Sequence, residues 1–202
     1  MSENKKAPKY PQIITPECRL SFPSLFKKRA FEEGKTEKYE ITMLFSKKTD
    51  LKALRSLIES EAMKKFGTTK GVKMPILDGD NKGGDAAEQY EGHYYAHAKS
   101  QYNVAVIDKD RNDLTEEDVY AGCYGKVSIA VKAEEYTDPK TKKVMSKYVK
   151  LLLRGFMKTR DGEPFSTRTN AAEDFANEGS DDASNYTDES GSDALDLSEF
   201  GL

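Results

Sequence analysis

Hydrophobic and polar positions along this chain alternate first with the period of a strand, then with that of a helix, then again with that of a strand. Two strand-like runs, 13–31 and 38–45, are separated by Glu-Glu-Gly-Lys-Thr-Glu, in which Gly34 marks a turn. In the second run Tyr39, Ile41, Met43 and Phe45 alternate with Lys38, Glu40, Thr42 and Leu44, predicting a half-buried strand. The period then changes. After Asp50, a candidate cap, Leu51, Leu54, Leu57, Ile58, Ala62 and Phe66 recur at three- and four-residue steps, and Gly67 supplies a stop. Residues 67–92 are rich in Gly, Asp and Lys; within them Val-Lys-Met-Pro-Ile-Leu at 72–77 reads as a short extended insert and 78–92 as a long surface loop. Strand patterns resume at 93–100, 103–108, 124–136 and 148–158, the last two joined by a turn containing Asp138 and Pro139. In the final strand Val149, Leu151, Leu153 and Met157 are predicted to face inward, with Tyr148, Lys150, Arg154, Phe156 and Lys158 facing outward.

Five or six strands with one helix between the early and the late ones predict a mainly β fold. The arrangement suits a Greek-key barrel of the OB type, with the helix plugging one end. A β-sandwich is the alternative, which the lone helix and the long strands disfavour.

Composition adds a second part to this picture. The chain is 33% charged and 37% hydrophobic, polar for a compact globule. Residues 169–202 contain no Lys or Arg and ten of the 35 acids, so residues 1–168 hold all 32 basic residues against 25 acids. The body is therefore about seven charges positive and the tail ten negative, although the whole chain is only −3. With so little apolar surface the tail is expected to be disordered. Its end, Ala-Leu-Asp-Leu-Ser-Glu-Phe-Gly-Leu, mixes acids with apolar residues as a short binding motif does, and Asp193, Asp196, Glu199 and Phe200 are the candidate partner contacts. The predicted organisation is a flexible arm at 1–12, a barrel domain at 13–168 and an acidic tail at 169–202.

The N-terminus has no apolar signal region, and no apolar run approaches the ~20 residues of a membrane span, so a soluble cytoplasmic protein is expected. Cys18 and Cys123 lie in predicted strands without metal-ligand spacing and read as buried free thiols. His93 and His97 are four apart but lack the Glu of a helical zinc motif. Asp-Gly-Asp-Asn-Lys-Gly-Gly-Asp matches a calcium loop for three residues, then places Lys82 at a ligand position and Gln89 where a bidentate Glu belongs. Neither a nucleophile elbow nor a phosphate-binding glycine loop is present. No enzyme, cofactor or metal is expected.

The predicted outward faces carry cations interleaved with aromatics: Tyr124, Lys126 and Lys132 on one strand, Tyr148, Lys150, Arg154, Phe156 and Lys158 on the next. Around the third strand Tyr95, His97, Lys99 and Tyr102 add to them, and Phe26, Lys27, Lys28, Arg29 and Phe31 cluster near the first hairpin. Single-stranded nucleic acid calls for this mixture, because cations neutralise phosphates and rings stack on bases at about 1–3 kcal/mol each. The candidate DNA-binding set is Lys27, Lys28, Arg29, Tyr95, Lys99, Tyr102, Tyr124, Lys126, Lys150, Arg154, Phe156 and Lys158. Aromatics filling a barrel core, with lysines solvating its rim, would give the same composition.

Residues 119–136, which include Gly122-Cys123-Tyr124, and the segment 155–165 with Arg160-Asp161-Gly162-Glu163-Pro164-Phe165 resemble the paired signature of a bacteriophage single-stranded DNA-binding family. That family has an OB fold and is related to replication proteins of short-tailed phages. The resemblance implies coating of single-stranded DNA, without sequence preference, during phage replication and recombination in an infected bacterial cell. It also implies a homodimer, and a tail that recruits a polymerase or helicase and shields the groove when DNA is absent. Two features depart from the family: Gly201 and Leu202 follow Phe200, and a run of Leu precedes Arg154. The alternative is a phage structural or protein-interaction factor acting through its acidic tail.

Overall fold

Strand pairing closes the alternating segments into a ring. The computed structural model describes residues 10–30, 36–84 and 87–165. In chain order its elements are β1 (Gln12–Ile14), β2 (Cys18–Arg29), β3 (Lys38–Ser46), α1 (Lys52–Phe66), β4 (Val72–Lys73), β5 (Ile76–Asp78), α2 (Ala87–Tyr90), β6 (His93–Ser100), β7 (Ala105–Ile107), β8 (Tyr124–Thr137) and β9 (Val144–Arg160). Five strands close the barrel in the order β8, β2, β3, β6, β9 and back to β8. Every contact of that ring is antiparallel except β6 with β9, which is parallel at Ala98↔Leu151 and Lys99↔Leu152. Closure pairs each principal strand on both sides over part of its length, most briefly where β2 meets β8 and β6 meets β9. The shorter strands flank the ring: β1 on β8, β5 on β6, and β4 and β7 on β9.

Inside lie Leu20, Ile41, Met43, Phe45, Val127, Ile129, Val131, Leu151 and Leu153, each at most 4% exposed. The helical stripe joins the same core through Leu54, Ile58 and Ala62, and α1 packs against β8 and β9. Each such Leu or Ile removed from water contributes about 1.5–3 kcal/mol. The helix begins one residue later than the Asp50 cap would place it, yet Asp50 Oδ1 still accepts from the Lys52 N–H at 2.9 Å. It stops at Gly67, whose N–H donates to the Met63 carbonyl at 2.8 Å.

Several expectations need correction. The run 13–31 is two strands, split around Pro16, which has no N–H for the ladder. The arm expected to reach residue 12 is shorter, because Gln12 pairs with Ala130 and the Pro11 carbonyl accepts from Val131 at 2.9 Å. The extended insert at 72–77 forms β4 and most of β5, but residues 78–92 are not merely a surface loop: they contain a single turn at Gly79–Asn81 and the second helix α2. Tyr90 of α2 is only 2% exposed and packs with Leu44 and Tyr95 on the outer side of β3 and β6. This cover buries both faces of β3, where alternation predicted one.

Candidate nucleic-acid interface

A groove of about 790 Å³ runs along the barrel wall where β5, β6, β9, β8 and β1 present their outer faces. Its floor is apolar, formed by Leu77, Ala130 and Leu152, and its cations are Lys38, Lys99, Lys150 and Arg154. Tyr10 and Tyr102 supply rings at its margins, and His97 lines it from β6. Tyr102 is 80% exposed, although its backbone is fixed: its N–H donates to Ser100 Oγ at 3.0 Å, and that hydroxyl donates to the Tyr102 carbonyl at 2.8 Å. An exposed ring on a pinned turn is a ready stacking platform.

The groove cations differ in their partners. Lys99 Nζ lies 2.9 Å from Glu40 Oε2. Lys150 pairs with Glu134, which also holds Lys132. Arg154 is exposed. His97 Nδ1 is 2.8 Å from Thr42 Oγ1, and burial pushes its pKa below the ordinary histidine value despite the nearby Glu40 carboxylate.

Of the twelve predicted residues, the groove brings together Lys99, Tyr102, Lys150 and Arg154. Two others are corrected. Phe156 is 2% exposed, in the core, and Tyr95 is 9% exposed beneath α2, so neither ring can receive a base. A bulge moved Phe156: Ile129 pairs with Leu153 but Ser128 pairs with Gly155, leaving Arg154 as an extra residue that reverses the inward set beyond it. Its ring fills the slot left by the missing side chain of Gly125.

Tyr124 and Lys158 belong to a separate structure, a clasp between the segments 119–124 and 158–165. The Arg160 guanidinium lies 3.4 Å from the centroid of the Tyr124 ring and donates to Glu17 Oε2 at 2.9 Å. The Thr159 hydroxyl, with Arg160 beside it, holds Glu17 below the ordinary carboxylate pKa. Lys158 Nζ donates to the Asp118 carbonyl and pairs with Asp161, each at 2.7 Å. Arg19 lies 4.0 Å from the Phe165 ring centroid and bonds the Gly122 and Glu163 carbonyls. The two segments that carried the family resemblance therefore grip each other.

Lys126 is exposed on β8, outside the groove lining. Near the first hairpin Lys27 pairs with Glu116 at 2.7 Å, Lys28 lies 5.5 Å from the Tyr39 ring centroid, and Arg29 is opposite Lys38. Phe31 and the tail contacts Asp193, Asp196, Glu199 and Phe200 lie outside the described residues. Lys38, Tyr10, Leu77 and Leu152 were missed in the sequence, because what unites them is pairing between distant strands.

The fold and groove define an OB-type barrel with a cationic, apolar-floored cleft on its wall. The family model described as the ssDNA-binding protein of Enterobacter phage Enc34 matches residues 11–185, and the chain belongs to that family. A structure of the Enc34 phage single-stranded DNA-binding protein in complex with ssDNA is similar, with a TM-score of 0.61 and 26% identity over 77% of this chain and 89% of that one. The single-stranded DNA-binding protein gp2.5 of bacteriophage T7 shares the fold, with a TM-score of 0.55 and 12% identity over 87% of this chain and 98% of that one. Protein p50 of Acyrthosiphon pisum secondary endosymbiont phage 1 is 29% identical over 163 residues, 73% of this chain and 83% of that one. Among the described residues no helix is long and apolar enough to cross a membrane.

Proposed function

We propose that this chain is a single-stranded DNA-binding protein, coating the strand without sequence preference during phage DNA replication and recombination. The observation that carries the reading is the groove, where four cations surround an apolar floor beside the exposed Tyr102 ring. Phosphates lie on Lys38, Lys99, Lys150 and Arg154, and a base stacks on Tyr102. Stacking accepts any base, since each offers a π face. Membership in a family described as ssDNA-binding supports the same reading.

The test is a fluorescence-anisotropy titration with labelled oligo-dT. If about four phosphates are neutralised, log affinity falls against log salt with a slope near −2.8. Tyr102→Ala weakens binding by about 1–3 kcal/mol, whereas Tyr102→Phe keeps the ring and binds like the parent. Salt-independent binding, or no binding at micromolar protein, refutes the reading. The tail serves as the contact for a polymerase or helicase through Asp193, Asp196, Glu199 and Phe200. A peptide of residues 190–202 should compete with the full chain for such a partner.

A further inference from the structure

Across the β8–β9 ladder, Lys132 stands directly opposite Lys150 and Glu134 directly opposite Tyr148. Two like charges facing each other in a cross-strand pair repel. Glu134 relieves that repulsion: one carboxylate oxygen meets Lys132, the other meets Lys150, and the Tyr148 hydroxyl donates to the second at 3.3 Å. Burial alone would push the Glu134 carboxyl up, but the two lysines outweigh it and hold its pKa below the ordinary value. It is therefore an anion at neutral pH. The Lys132 ammonium also sits 5.0 Å from the centroid of the Tyr10 ring, and Tyr10 and Lys150 both line the groove. The group stands at the margin of the cleft and remains solvent-accessible, with side chains 25–39% exposed.

We propose that Lys132 and Lys150 form a phosphate subsite of the groove, and that Glu134 occupies it as an internal anion that restrains affinity for the DNA backbone. The inference rests on the single-stranded DNA reading and deepens it. A carboxylate and a phosphodiester each carry one negative charge and accept hydrogen bonds from ammonium groups. A phosphate arriving at this pair meets two lysines already half-neutralised, and its gain is the difference between two similar interactions. Without the carboxylate the same two lysines would present their full charge. Glu134 thus favours the empty fold and opposes the bound state, so its removal should move stability and binding in opposite directions.

The experiment compares the full chain with Glu134→Gln, which keeps the shape and removes the charge. Oligo-dT affinity at about 50 mM salt should rise roughly three- to tenfold, and the salt slope should steepen by at most about 0.7 as Lys132 joins Lys150 in neutralising the backbone. The melting temperature should fall, because the facing lysines lose their counter-charge. The gain should vanish in Glu134→Gln/Lys150→Gln, where the subsite is broken. Should Glu134→Gln fail to fold by circular dichroism, Glu134→Asp replaces it, withdrawing the carboxylate by one methylene, and should still bind more tightly than the parent. Parent binding with no gain in the folded variant overturns this inference and leaves the DNA reading intact. Absence of salt-dependent binding by the parent overturns the DNA reading itself. A purely structural role would lower the melting temperature without raising affinity.

Discussion

Phe22 sits in β2 at φ 47, in the left-handed region, with 58% of its surface exposed. An L-residue there carries a cost of about 1–2 kcal/mol, and a bulky one fits poorly. The register of β2 against β3 shifts between Ser21 and Ser24, so Phe22 lies within a bulge, next to Pro23, which cannot donate to the ladder. Asn tolerates this conformation better, and little apolar burial is at stake. Phe22→Asn should therefore raise stability by about 0.5–1 kcal/mol. Denaturant unfolding checks this, and a lowered midpoint would show that the ring packs more than its exposure implies. Bulges also limit what alternation can reveal. The inward places of Val149, Leu151 and Leu153 were legible, because the ladder is regular there. One extra residue at Arg154 then put Phe156 inside, and no local pattern announces such an insertion.

Among the elements, the clasp that holds the end of β9 is the most exacting. Gly122 has φ +115, and a Cβ placed there would lie 2.2 Å from the Glu163 carbonyl oxygen. Its N–H donates to the Leu20 carbonyl at 2.8 Å, and Phe165 N–H reaches the Ala121 carbonyl at 3.1 Å. Gly122→Ala meets both an unfavourable backbone conformation and a backbone clash, so it should cost at least about 2 kcal/mol. Thermal unfolding would register the loss, and a variant melting like the parent would disprove the close approach. The Gly-Cys-Tyr and Arg-Asp-Gly-Glu-Pro-Phe segments were legible as a matched pair, but their role was not: contact between Gly122 and Glu163 is invisible in either segment alone. For the helices, legibility followed length. Four turns of periodic Leu, Ile and Ala announced α1, whereas α2 is four residues long and is anchored by Tyr90. A single buried ring has no period.

For the whole molecule, barrel closure depends on parallel pairing of β6 with β9, some fifty residues apart in sequence, and it is this pairing that sets Lys99 beside Lys150 and Arg154 in one groove. Strand count and helix placement pointed to a barrel; the groove required the pairings. Charge, by contrast, is readable directly. Residues 1–168 carry about seven net positive charges and residues 169–202 ten negative ones, so the tail adds a long-range repulsion that weakens the attraction of the body for a polyanion. Ending the chain after Arg168 should raise oligo-dT affinity at low salt. The gain should shrink as salt rises, because the Debye length falls from about 30 Å at 0.01 M to about 8 Å at 0.15 M and distant charges cease to matter. Anisotropy titrations of both chains across that range decide the point. Equal affinity at low salt would mean that the tail's charge does not reach the groove, whereas a gain undiminished by salt would demand a direct steric block in place of long-range repulsion.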